Sequence, residues 1–242
     1  MPVFNGEKYI KLAINSVISQ SYKDWNLIVV NDGSTDSTAS IVQSFVEEDS
    51  RIKLIDNNGK KGAAGARNYG LSLSSGDYVA FIDCDDVWHS EKLKKQLDLM
   101  KKEGMDFSYT SYEIIDSNGA NCKQNYIVPE RISFKQMLKE NFVGCSTVII
   151  SQKITNKYSF STEFYHEDYC LWLQLLKDGY NAIGCTEPLV KWRFIHGSRS
   201  SNKFNSAIRR WNIYRKHLCL SLFQSYKYFA LYMFNGILKY SK

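Results

Sequence analysis

Residues 77–88 read DYVAFIDCDDVW and crowd three carboxylates, Asp83, Asp85 and Asp86, into four positions. Ser75-Gly76-Asp77 is a turn signal and Tyr78 to Ile82 is a short apolar run, so the aspartates stand at the C-terminal end of a buried strand. Carboxylates crowded there repel one another and are costly to desolvate, which calls for a divalent cation or hydrogen-bond donors nearby. The plainer alternative is a solvated turn in which Asp85 or Asp86 caps a helix over residues 90–101. A second acidic group follows His166, where Glu167 and Asp168 open an amphipathic helix with Leu171, Trp172, Leu175 and Leu176 on its buried face. The amide donors and dipole of that helix account for one of the two carboxylates and leave the other for chemistry. No H-E-x-x-H occurs, so His166 and Glu167 do not form a zinc-protease motif.

Two loops must bring a ligand to these groups. A strand over residues 25–31 runs into Asp32-Gly33-Ser34-Thr35-Asp36 and then a helix over 37–48, which serves equally as a capped helix start and as a nucleotide address. After a strand at 51–56 comes NNGKKGAAG, with Lys60, Lys61 and Arg67 close together. Glycine-freed amides and these cations suit a diphosphate, and they suit a solvated cationic loop as well. Neither the P-loop pattern nor G-x-G-x-x-G is present.

The elements that position these groups alternate strand and helix, the pattern of an α/β domain with a parallel sheet. Residues 1–6 enter a turn at once and lead to an amphipathic helix over 7–19. Beyond the aspartates, the pattern predicts a helix at 90–102, a strand at 107–112, a polar loop or hairpin at 115–129, a short helix at 134–139 and a strand at 143–150. Cys145 reads as a small buried side chain, since no histidine partner is evident. From residue 203 basic and aromatic residues alternate with helical spacing, as in a helix pair packed on the domain or a foot lying on a membrane surface. With 242 residues, 44% hydrophobic and 23% charged, the chain can bury a substantial core. Its net charge of +6 favours phosphates, acidic glycans or anionic lipid, but the basic residues are interleaved with acids and no nucleic-acid reading motif appears. Six cysteines without regular spacing indicate neither a zinc site nor a disulfide framework, so reduced thiols in the cytosol are expected. No signal-peptide pattern and no run of 18 apolar residues occurs.

Taken in order, PVFNGEKYI, VVNDGSTD, GAAGARNYGL, FIDCDDVW and HEDYCLWLQL resemble the motifs of inverting family 2 glycosyltransferases of the GT-A type, across roughly residues 2–200. The resemblance implies an α/β fold with a Rossmann-like, mostly parallel central sheet flanked by helices. It divides the chain into a catalytic domain at 1–202, lacking the family's usual first strand, and a C-terminal amphipathic helical extension at 203–242. An absent central strand would leave neighbouring strands short of backbone partners, so the start is expected to lie downstream of the natural one.

The same resemblance implies a nucleotide-sugar donor, a UDP-sugar, and an acceptor hydroxyl on a glycan or lipid-linked oligosaccharide. It places Phe4 against the nucleobase, Asp32 on the imide N–H of uracil, Arg67 near the donor and Asp83 at the ribose. Asp85 would ligate Mg²⁺ or Mn²⁺, and Asp168 would be the catalytic base. Trp192, Arg193 and His196 resemble a late segment that folds over the donor phosphates. Q-x-x-R-W, the mark of the processive synthases, is absent, which implies single additions. Work on the inner face of the bacterial cytoplasmic membrane, with peripheral contact through the tail, would follow. A nucleotidyltransferase on a related scaffold lacks its glycine-rich signature here. A noncatalytic nucleotide-sugar or glycan-binding module is the alternative outside the enzyme class.

Overall fold

Strand-forming runs punctuated by Gly, Asn and Asp set the first third of the chain, and a computed structural model describes it together with the rest over residues 1–195 and 203–240. Strand β1 (Pro2–Val3) turns into helix α1 (Ile10–Ile18), which buries Ile10, Ala13, Ile14 and Val17. Strand β2 (Leu27–Asn31), helix α2 (Thr38–Glu48), strand β3 (Ile52–Asp56) and helix α3 (Ala63–Ser72) follow. The three strands form a parallel sheet in the order β1-β2-β3. Pro2 and Val3 read as a turn in sequence, yet they pair with Val30 and Asn31. Proline is tolerated at the first residue of a strand, and the apolar Val3 gains burial there. Val30 and Asp32 donate their amides to Met1 and Val3 carbonyls, so β2 is partnered on both sides.

Strands β4 (Tyr78–Ala80) and β5 (Val87–Trp88) bracket the aspartates. Helix α4 (Lys92–Glu103) comes next, ending at Gly104 in the left-handed region. Strands β6 (Phe107–Ile115) and β7 (Asn121–Tyr126) form the predicted hairpin, and β8 (Arg131–Ile132) and α5 (Phe134–Lys139) follow it. Ser133 and Gln136 close a capping box on α5. A 3-10 turn at Cys145–Thr147 replaces the first half of the strand expected at 143–150, and strand β9 is only Ile149–Ser151. The chain then passes through α6 (Gln152–Thr155), α7 (Glu167–Lys177) and β10 (Ala182–Arg193). A second sheet runs β4-β9-β6-β10-β5, with β7 on β6 and β8 on β10. Of its pairings only β6 with β10 is parallel, so the strand directions are more mixed than the alternating pattern implies.

Beyond residue 202 lie α8 (Lys203–Asn212), a π-helical turn Ile213–His217 and α9 (Leu222–Tyr240). Ile213, Tyr214 and Leu218 join the core beneath α7, and the Tyr214 hydroxyl donates to the Leu138 carbonyl. Among the described residues no helix is long and apolar enough to cross a membrane.

Trp172 of α7 centres this core. Phe81, Phe107 and Phe160 surround it with ring centroids 5.9, 5.3 and 6.0 Å away. Phe81 lies two residues before Asp83, so one aromatic cluster sets the height of the aspartate turn against α7. Gly184, where β10 passes β6, has no room for a side chain: a Cβ there would lie 2.3 Å from the Pro129 carbonyl oxygen and 2.9 Å from the Tyr109 ring. Gly184→Ala should therefore cost about 1–3 kcal/mol, as overpacking does elsewhere. Urea unfolding checks this, and an unchanged midpoint would show that the strand shifts freely.

Candidate active site

The turn after β4 sorts its three aspartates by their partners. Asp83 donates its amide to Ser146 Oγ at 3.0 Å, and Ser146 Oγ donates to Asp86 Oδ2 at 2.5 Å. Asp86 also accepts the Arg193 amide at 2.9 Å and is buried. Burial, then the charges of Asp85 and Asp83, raise its pKa well above the carboxylate range. Asp86 is thus an internal brace for the turn. Neither it nor Asp85 caps α4, whose start lies at Glu91 with no side-chain cap.

Asp85 differs. It is half-buried, and no described side chain donates a hydrogen bond to its carboxylate. Burial and then the charge of Asp83 push its pKa up to about 6. A carboxylate in that condition, beside a second one, fits a divalent cation. Among the described residues no group of three His, Cys, Asp or Glu side chains is arranged to hold a metal. Protein would supply one or two carboxylate oxygens and leave the other positions to phosphate and water, the habit of Mg²⁺ sites.

Arg67 joins this turn to α7. Buried in α3, its guanidinium donates to Asp83 Oδ1 at 2.5 Å and to Glu167 Oε1 at 2.7 Å, with the Phe160 ring 5.5 Å away. Burial works against its charge, but Asp83 and Glu167 outweigh that and raise its pKa well above the usual value. Gly65 lets the preceding loop fold onto α3, since a Cβ there would overlap the Lys60 carbonyl at 1.8 Å.

Asp168 is left outside the pair. Half-buried, it accepts the Tyr169 amide at 2.7 Å. Burial and then Glu167 raise its pKa to about 6. The structure thereby separates the two acids at the start of α7, one held by Arg67 and one outside that contact.

The first loop is laced to the loop after β2. Asn5, at φ 50°, accepts the Thr35 amide at 2.8 Å and donates its own to Ser34 Oγ; Gly6 donates to Thr38 Oγ1, and Glu7 donates its amide to the Asp36 carboxylate while its own carboxylate accepts the Ser37 amide. Phe4 stands on this frame 60% exposed, a ring free to take a flat partner. Asp32 accepts from Asn57 Nδ2 at 2.6 Å and from the Gly62 amide at 2.7 Å, with Lys61 Nζ 3.9 Å away. Its carboxylate therefore fastens the lysine and glycine loop beside β2. Gly62 sits at φ 95°, a conformation that L side chains rarely adopt.

Arg193 is almost wholly buried. It donates to the main-chain carbonyls of Asp85 at 2.8 Å and Asp116 at 3.0 Å, and lies 4.4 Å from the Tyr9 ring centroid. It thereby braces the backbone of the aspartate turn against the β6–β7 hairpin. His196 lies outside the described residues. Asp83, Asp85, Arg67 and Asp168 are brought to one site, while Phe4 and Asp32 line the neighbouring loops. Ser146, Asn57 and Tyr9 carry no signal in sequence, because a partner distant in the chain defines each, and the same holds for the Arg67 contact that selects Glu167 of the two acids.

Arg67→Met should destabilise the protein by about 3–5 kcal/mol, since it leaves two carboxylates without their buried cation. In an Asp83→Asn, Glu167→Gln background the same change should cost much less. Equal cost in both backgrounds, read by denaturant unfolding, would reduce Arg67 to a packing residue.

Comparison with known proteins follows the same lines. The sequence profile of Glycosyl transferase family 2 matches residues 1–163. An Escherichia coli protein named UDP-Glc:alpha-D-GlcNAc-diphosphoundecaprenol beta-1,3-glucosyltransferase is 42% identical over 88% of this chain and 83% of its own. S. aureus TarS 1-349, solved in complex with UDP-GlcNAc, superposes with a TM-score of 0.74 at 20% identity, covering 96% of this chain and 70% of that one. A Pyrobaculum calidifontis mannosyltransferase with GDP-Man and Mn²⁺ gives a TM-score of 0.65 at 17% identity, over 90% of this chain and 61% of the other.

Proposed function

Since the chain belongs to glycosyl transferase family 2 and is a glycosyltransferase with the GT-A fold, we propose that it transfers a hexose from a UDP-sugar to a hydroxyl of a lipid-linked, diphosphate-bearing glycan, with inversion. The observation that carries the reading is the division of labour on α7: Arg67 holds Glu167, and Asp168 remains half-buried with its pKa near 6. A base of that strength is ionised at neutral pH and still takes a proton late in the reaction. The donor half draws support from the exposed Phe4, the placement of Asp32, the UDP-GlcNAc bound to one similar protein and the UDP-Glc in the name of another. UDP-glucose is the first donor to test.

In the proposed step, Asp168 accepts the proton of the acceptor hydroxyl as its oxygen attacks the anomeric carbon. The bond from that carbon to the donor diphosphate breaks, and the electron pair leaves with the nucleotide. One displacement inverts the centre. Phe4 stacks on the uracil and Asp32 accepts its imide N–H. Asp83 holds the ribose while its second contact, with Arg67, keeps it in register with α7. Asp85, with or without Asp83, would hold Mg²⁺ or Mn²⁺, which when bound offsets the charge gathering on the leaving diphosphate. Arg193 fixes the backbone that carries Asp85. The proposed catalytic unit spans residues 1–202, and the segment from 203 carries the acceptor side and meets the membrane surface peripherally, on its cytoplasmic face.

Binding and turnover across a panel of UDP-, GDP- and dTDP-sugars, with Mn²⁺ and with chelator, test the whole. Metal-dependent selection of one UDP-sugar, with transfer to a diphospholipid glycan, is expected. Tight donor binding without transfer to any acceptor would instead identify a binding module. Asp168→Asn should lower kcat by roughly 10²–10⁴-fold with donor affinity nearly unchanged; an equal loss of donor affinity would move Asp168 out of the base role. Asp85→Ala should abolish the metal-dependent part of donor binding, and survival of that dependence would place the cation elsewhere. Because Asp168 must be ionised to act, kcat should fall as pH drops through about 6; a flat profile down to pH about 4.5 would reject it as base.

A further inference from the structure

A cavity of about 350 Å³ opens between the segment leading into α7 and the C-terminal helices, lined by Glu163, Phe164, Tyr165, Arg209, Asn212, Ile213 and Lys216. Two cations, one acid and an amide face a space that would hold roughly a dozen waters. Arg209 stacks its guanidinium on the Tyr165 ring at 3.3 Å, which holds it at the cavity. Lys216 is exposed and belongs to the π-helical turn Ile213–His217. Turns of that kind are rare and recur at functional sites.

Placement adds the direction. Tyr165, on the cavity wall, lies three residues before Asp168 in the segment that enters α7, which puts the proposed base on the same stretch of chain. Past Lys216 the chain continues into α9. At 100° per residue, Leu222, Phe223, Tyr226, Met233 and Phe234 fall within one face of α9 about 120° wide. All five are exposed. Apolar side chains gathered on one unpaired helix face mark a surface for lipid or another apolar partner.

Resting on the reading above that the acceptor is a lipid-linked diphosphate sugar, we propose that this cavity binds the acceptor's diphosphate between Arg209 and Lys216. The sugar then points toward Asp168 and the lipid chain leaves along the exposed face of α9, whose partner is the bilayer holding that lipid. Arg209 supplies a planar fork for phosphate oxygens, and Lys216 a mobile point charge. Glu163 opposes both and leaves a net positive lining.

The test uses the full chain with UDP and Mn²⁺ saturating the donor site, titrated calorimetrically with a short prenyl diphosphate. Wild type should bind the probe, and R209Q/K216Q should bind it about tenfold or more weakly, as expected for two charge-assisted contacts. R209K/K216R should stay close to wild type. Lys216→Gln alone, at an exposed position, covers the case in which the Arg209 change disturbs folding, and should weaken binding by about threefold or more. Failure of wild type to bind, equal affinity in the glutamine variants, or a parallel loss of UDP binding would each overturn the proposal; the last would assign the cavity to the donor. Probe binding that is lost in R209Q/K216Q, in a wild type that transfers no sugar to a diphospholipid glycan, would uphold the site and refute the acceptor reading.

Discussion

A single buried guanidinium ties the site together. Arg67 reaches from α3 to Asp83 on one side and Glu167 on the other, residues 16 and 100 positions away in the chain. A buried arginine without both partners would carry an uncompensated charge, and either carboxylate without it would do the same. The three groups therefore stabilise one arrangement of the aspartate turn, the glycine loop and the start of α7. Asp86 is taken up by Ser146 and the Arg193 amide, which leaves Asp85 and Asp168 outside both sets of contacts, and burial raises the pKa of each to about 6.

Around this fork the backbone is fixed by polar contacts more than by sheet pairing. Ser146 and Asp86 hold the turn from beneath, Arg193 holds it from the side of the hairpin, and Asn5, Asp32 and Asn57 lace the ligand-facing loops to one another. Loops at a ligand site gain precision this way without burying apolar area. Beneath them, the ring cluster around Trp172 carries the apolar load and fixes the distance between the aspartate turn and α7.

Much of this was legible in sequence because it is local. The run from Tyr78 to Ile82 ending in acids, the capped helix at Phe134–Lys139 and the amphipathic α7 each declare themselves within a dozen residues. What escaped depends on partners far along the chain. The contacts of Arg193 with the Asp85 and Asp116 carbonyls are invisible in sequence, and Asp86 looks like a helix cap until Ser146 appears beside it. Cys145–Thr147 reads as strand from its neighbours, but its 3-10 turn is what brings Ser146 under the aspartates. Pairing of Pro2–Val3 with β2 was hidden for a related reason, since two residues carry no periodicity.

The cover of α7 has a consequence for the order in which the protein can mature. Its buried face is completed by Ile213, Tyr214 and Leu218, and His217 reaches the carbonyl of Cys170. These residues are translated about forty positions after the helix they cover. As synthesis proceeds from the N-terminus, the β1-β2-β3 sheet emerges first, while α7 waits with its apolar face wet. A nascent chain would thus complete its first sheet before the Arg67–Glu167 contact can form, and a chaperone that shields apolar helices would have its window in between.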